Sequence, residues 1–130
     1  GSFVALAYFS GHLPIGNSLH LATSKGGGKR WILPRLVHGG KNVMGRLGVV
    51  VLPNDGPILM TWLESTEEGA EWCARSVTRN GLLGKVLRFA KVPGGRADGF
   101  LQLEATEGGA WVAWTDREGG VVKLGRLVAQ

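Results

Sequence analysis

The sequence has one cysteine, Cys73, and one tyrosine, Tyr8, among 130 residues. A single cysteine excludes an internal disulfide and any cysteine-rich metal site. His12, His20 and His38 fall in separate segments without the spacing of a ligand set, so no metal or cofactor site is read. Every apolar run stops well short of the roughly 20 residues that a membrane-spanning helix needs. No stretch reads as a signal peptide, and no membrane partner is expected. The lone thiol leans the compartment toward the cytoplasm without fixing it, and a secreted protein whose leader has been removed fits as well. Gly1-Ser2 reads as the remnant of a tag. Charged residues make up only 19% of the chain against 44% hydrophobic, which is too apolar for a disordered polypeptide. Helical periodicity is also missing, since no segment sustains it for ten residues.

What charge there is gives a net +5. Nucleic-acid binders gather Lys and Arg on one face among exposed aromatics. Here the cations are scattered and the aromatics sit inside apolar runs, which argues against nucleic acid and leaves a general attraction to anionic partners.

Glycine is abundant, at 22 residues, and falls between short apolar segments as turn residues do. The segments are Phe3–Ser10, Ser18–Ser24, one from Trp31 to Val37, Gly48–Pro53, Ile58–Ser65, Glu71–Val77, Lys85–Val92, Phe100–Thr106, Ala110–Asp116 and Val121–Val128. Several alternate apolar and polar residues, and turn residues bound them all, so the chain is expected to be all-β. The segments also repeat. "GVVVLPNDGPILMTWLES" aligns with "GFLQLEATEGGAWVAWTD", pairing Gly48 with Gly99 and Trp62 with Trp114, while Tyr8 falls where a Trp would stand one period earlier. A period near fifty residues built from about four strands is the signature of a propeller blade, a sheet that buries its faces against its neighbours.

The expected architecture is a partial β-propeller of about two and a half four-stranded blades. Residues 3–43 supply strands B to D of one blade, residues 44–95 a complete blade, and residues 96–130 strands A to C of a third. Head-to-tail self-association would complete a ring of six. A section of a longer propeller is the rival account.

One turn carries a sharper motif. In "SKGGGKRW", Ser24, Gly28 and Trp31 fit the pattern S-x-D-x-G-x-T-W, with Gly26 in place of the Asp and Arg30 in place of the Thr. On these residues the chain resembles the Asp-box (BNR) repeat of sialidase-type β-propellers, as a degenerate copy. The resemblance implies a structural turn between the third and fourth strands of a blade. A phosphate-binding loop is disfavoured, because "GGGKRW" leads into the Pro-containing "WILPRLV" and not into a helix.

The resemblance implies, for the enzymes of that family, a Tyr nucleophile paired with a Glu, an Asp acid/base and three arginines that grip the substrate carboxylate. Tyr8 lies mid-strand at a packing position, so a binding or scaffold protein is favoured over an exo-glycosidase whose site is shared between subunits. What the resemblance implies for ligand binding is a face made by the D–A and B–C loops. Lys41, Asn42, Arg46, Arg96 and Asp98 would lie on it, joined by Glu64 and Asp116 at the ends of equivalent strands. Arginine can grip a carboxylate or sulfate, so an anionic carbohydrate is the expected ligand. Cys73, in a strand beside Trp72, is read as a quiet, half-buried thiol, and "STEEGAE" as a solvated acidic loop.

Overall fold

The computed structural model describes residues 2–11, 16–95, 99–117 and 119–128. Among them there are ten strands and no helix: β1 (Val4–Ser10), β2 (Ser18–Ser24), β3 (Ile32–Gly39), β4 (Val43–Val51), β5 (Ile58–Thr66), β6 (Gly69–Val77), β7 (Leu87–Val92), β8 (Gln102–Thr106), β9 (Gly109–Asp116) and β10 (Val121–Val128). They form three antiparallel meanders, an N-terminal sheet β1-β2-β3, a central sheet β4-β5-β6-β7 and a C-terminal sheet β8-β9-β10.

The central sheet is covered on both sides, and its sequence shows why. A strand with one wet face alternates apolar and polar residues, whereas one buried on both faces reads as a continuous apolar run. The run "ILMTWLE" is buried at every position from Ile58 to Glu64. Ile58, Met60 and Trp62 pack with Leu19, Leu21 and Val37 of the N-terminal sheet. Leu59 and Leu63, with Trp72 and Ala74 of β6, pack against Ala110, Val112 and Leu127 of the C-terminal sheet. Two cores result, one per sheet interface.

Strand β4 lies nearest the other two sheets, approached by β1 on one side and by β8 on the other. Gly48 permits that approach. A Cβ there would lie 2.6 Å from Thr61 Oγ1 and 2.7 Å from Leu103 Cδ1, inside contact distance.

The registers give each strand a direction. The connections β1–β2, β3–β4, β5–β6, β7–β8 and β9–β10 lie at one end of the stack, called the loop end below, and β2–β3, β4–β5, β6–β7 and β8–β9 at the other. Pairing is antiparallel within each sheet, and the three-residue β3–β4 turn and a cleft that Asp116 shares with Thr66, Glu67 and Glu68 bring corresponding ends of the sheets together, so β1, β5 and β9 run one way, and β2, β6 and β10 the other. Tyr8, Trp62 and Trp114 occupy these equivalent strands. Trp62 faces the preceding sheet and Trp114 packs on the central-sheet core. Tyr8 lies on the outer face of the N-terminal sheet, 37% exposed and stacked on His20 at 5.1 Å between ring centroids.

Both outer faces are apolar. Leu6, Tyr8 and Leu36 are exposed on one, and Trp111, Val122, Leu124 and Val128 on the other.

The strands match the apolar runs closely, with one informative difference. Strand β4 begins at Val43, five residues before the expected Gly48, because "VMGRL" pairs with β5 through a bulge. Gly45 and Arg46 both have positive φ there, a backbone that extra residues in a strand adopt.

The turn 25–31 is a hairpin connection. Ser24 Oγ accepts from the Gly28 N–H at 3.0 Å, and the Trp31 indole N–H donates to the Gly28 carbonyl at 2.9 Å. The three residues that fit the motif are the ones that bond to one another.

Candidate functional site

Lys41 and Asn42 form the exposed tip of the β3–β4 turn at the loop end of the stack. The Asn42 carbonyl accepts from the Ser65 N–H at 2.8 Å, which ties this turn to the end of β5. Arg46 stands within β4. Its guanidinium donates to the Gly99 carbonyl at 3.0 Å and to the Gly95 carbonyl at 3.1 Å. Both bonds join the central sheet to the connection leading into the C-terminal sheet. Arg96 and Asp98, in the same connection, lie outside the described residues, as does His12.

Asp116 ends β9, where its carboxylate pairs with Lys123 at 3.2 Å and accepts from the Gly119 N–H at 3.3 Å. It shares a cleft of about 530 Å³ with Thr66, Glu67, Glu68, Glu71 and Lys91. Four carboxylates against one ammonium make the cleft acidic at neutral pH. Lys41, Asn42 and Asp116 therefore share the loop end, while Arg46 is occupied by carbonyls.

Glu64 turns inward. Its side chain is 9% exposed and lies on the face of β5 that carries Trp62, two residues away. The Trp62 indole N–H donates to Oε2 at 2.9 Å. His38 Nε2, from β3, is 3.1 Å from the same oxygen, which requires the proton on that nitrogen. Arg88, from β7, reaches Oε2 at 3.3 Å and Oε1 at 3.5 Å. The Cys73 thiol donates at 3.5 Å. The His38 ring also packs on Trp62, 4.9 Å between centroids. Four strands from two sheets thus converge on one carboxylate.

Burial pushes the Glu64 carboxyl up, but the Trp62 hydrogen bond, Arg88, His38 and the Cys73 bond together outweigh it. The group titrates below its ordinary value. The thiol moves the opposite way. Burial, then the neighbouring Glu64 charge, push Cys73 up to about 12 against a partial counter-effect from Arg88. A carboxyl held ionised is a poor general acid, and a thiol held protonated is a poor nucleophile. The cluster is chemically suited to fastening the N-terminal sheet onto the central one.

Sequence spacing could reveal only part of it. Trp62 and Glu64 are two apart on a strand and so share a face. His38, Cys73 and Arg88 come from other strands and carry no local signal. Among the described residues no group of three or more His, Cys, Asp or Glu side chains is placed to hold a metal ion. No described helix is long and apolar enough to cross a membrane. Comparison with protein families, curated proteins and solved structures finds no match to this chain.

Proposed function

We propose that the chain is a section of a β-propeller-type scaffold whose outer sheet faces are completed by further sheets, most simply those of a second copy joined head to tail. The observation that carries this reading is the shared orientation of Tyr8, Trp62 and Trp114. Trp62 and Trp114 each point toward the sheet that precedes their own. Tyr8 points the same way from the N-terminal sheet and stays on an open face. On the opposite side of the stack, Trp111, Val122 and Leu124 stand where Leu59, Ala70 and Trp72 are buried in the central sheet, an offset of 52 residues.

The two open faces are therefore different surfaces of one repeated interface, which is the condition for a heterologous contact that closes into a ring. Contiguous exposed apolar faces of this kind mark interaction surfaces. Two copies would supply six sheets. The Ser24–Gly28–Trp31 turn adds support for kinship with Asp-box propellers. Light scattering on the eluting peak of a size-exclusion run tests the assembly; a well-folded monomer at micromolar concentration rejects it.

The ligand surface in this reading is the loop end bearing Lys41, Asn42 and Asp116. An anionic glycan there draws on Lys41 and the net charge of +5, not on Arg46, and the acidic cleft beside Asp116 opposes it. Calorimetric titration with a sialylated and a sulfated oligosaccharide tests that ligand, and no heat at millimolar concentration rejects it. The glycosidase alternative gains less support, since Tyr8 is stacked on His20 on an outer face.

A further inference from the structure

The two charge signs are distributed unevenly over the fold. No Asp or Glu precedes Asp55, so the N-terminal sheet carries no acid, while its β2–β3 turn and β3 carry Lys25, Lys29, Arg30 and Arg35, all exposed. Among the described residues no hydrogen bond or ion pair holds any of these four side chains. Interleaved with them are Trp31, Ile32 and Leu33, which are 45%, 54% and 87% exposed. The Arg35 guanidinium lies over Gly81, where a Cβ would be 2.6 Å from its Nε. That contact brings the β6–β7 connection alongside, with Leu82, 71% exposed, and the exposed Lys85. The β4–β5 turn brings one carboxylate to this end, Asp55, and it faces Arg79 at 3.9 Å. Glu107, in the β8–β9 turn, belongs to the C-terminal sheet on the far side of the central one.

We infer that this surface, at the end of the stack opposite the loop end, rests on an anionic lipid bilayer. Trp31, Ile32 and Leu33 meet the acyl boundary, and the four cations sit among the headgroups. A protein that lies on a bilayer needs no spanning segment. Each Lys or Arg near an anionic leaflet strengthens binding roughly fivefold, and Trp is favoured at the level of the headgroups. The turn is also preformed, because Ser24 and Trp31 both bond to Gly28, so its cations are presented at little ordering cost.

The aliphatic side chains choose among polyanions. A nucleic acid offers phosphates to the cations and bases for aromatic stacking, and a sulfated glycan offers sulfates, but neither supplies an apolar phase for Ile32, Leu33 or Leu82. A bilayer supplies both. Strand β3 closes the N-terminal meander as β7 closes the central one, and the chain continues beyond each. The inference is independent of what covers the outer faces and of any ligand at the loop end, since it concerns a turn, a strand edge and the opposite end of the stack.

Flotation of the full chain with vesicles tests it. Binding is expected to a two-to-one mixture of phosphatidylcholine and phosphatidylserine, to fall roughly tenfold or more on phosphatidylcholine alone, and to weaken as salt is raised. Lys29→Ala and Arg30→Ala, at exposed positions, are each expected to cost roughly fivefold, and Leu33→Ser roughly tenfold. Brominated acyl chains are expected to quench tryptophan emission more in the native sequence than in Trp31→Phe. Equal binding to both vesicle types, binding indifferent to Lys29→Ala and Arg30→Ala, or no binding at millimolar lipid overturns the inference. So does a single-stranded oligonucleotide or heparin that binds more tightly than the acidic vesicles and is indifferent to Leu33→Ser, which would assign the surface to a soluble polyanion. Light scattering keeps the two readings apart: a monomer that floats with the acidic vesicles rejects head-to-tail assembly and supports this inference, and a dimer that stays behind does the reverse.

Discussion

Trp62 and Trp72 offer a controlled comparison inside one sheet. Both are 0% exposed, both sit in strands of the central sheet, and Phe in either place removes the same atoms. They differ in what the indole N–H meets. Trp62 donates to the ionised Glu64, whereas Trp72 Nε1 has no hydrogen-bond partner among the described residues. Truncation costs both variants the same transfer and cavity contributions to first order. Trp62→Phe additionally loses a hydrogen bond to a charged acceptor, about 1.5–3 kcal/mol, while Trp72→Phe removes an unsatisfied buried donor and recovers about 1 kcal/mol or more. Trp62→Phe is therefore expected to be the more destabilising by about 2 kcal/mol or more. With a urea slope of about 1–3 kcal/mol/M, the two midpoints would differ by roughly 1 M at neutral pH. Equal midpoints, or a larger loss from Trp72→Phe, would refute the assignment of stabilising weight to the Glu64 cluster. A double-mutant cycle with Glu64→Gln sharpens it, because the cost of Trp62→Phe should shrink once the acceptor is uncharged.

Glu64 titrates below its ordinary value when folded, so the unfolded chain binds more protons in acid. Its stabilising contribution is full above about 4.5 and is lost as pH falls toward the folded value; Glu64→Gln should flatten the acid limb of a stability-versus-pH curve. Cys73, held up to about 12 when folded, ionises first in the unfolded chain, so its contribution is present below its ordinary 9.0 and declines as pH rises through that window. At pH 8 a thiol-reactive dye should label it at the rate of local or global unfolding, and rapid stoichiometric labelling of native protein would contradict the buried, protonated thiol. Arg46→Ala deletes both bonds to the Gly95 and Gly99 carbonyls and should cost about 1–3 kcal/mol, with hydrogen exchange rising first in the β7–β8 connection. Gly48→Ala forces a methyl against Thr61 and Leu103 and should cost about 1–3 kcal/mol by overpacking; an unchanged melting temperature would show that β4 and β8 are not in close contact.

Strand positions were readable because each apolar run is short and ends in Gly, Pro, Asn or Asp, as at "LPNDGP" and "ATEGG". The start of β4 was not readable. Gly45 and Arg46 look like a loop when only propensity is considered, and pairing with β5 through a bulge overrides that preference. Of the residues expected on a ligand face, Lys41 and Asn42 are exposed at the loop end and Asp116 lines a cleft at the same end. Glu64 sits two residues before the exposed Thr66 yet is buried, because its surroundings come from β3, β6 and β7, distant in sequence. Side-chain partners across sheets leave no periodic trace, and the cluster around Glu64 was invisible for that reason.

Strand β5 has no solvent-facing side from Ile58 to Glu64, and that has a consequence for the order of events during synthesis. Chains emerge at roughly 5–20 residues per second and fold as units become available. The first three strands leave the ribosome with Leu19, Leu21 and Val37 uncovered; Val43 and its neighbours in β4 bring the first cover, and the hairpin of β5 and β6 completes it. The early meander is therefore expected to wait a few seconds with that face exposed, until residue 77 is out.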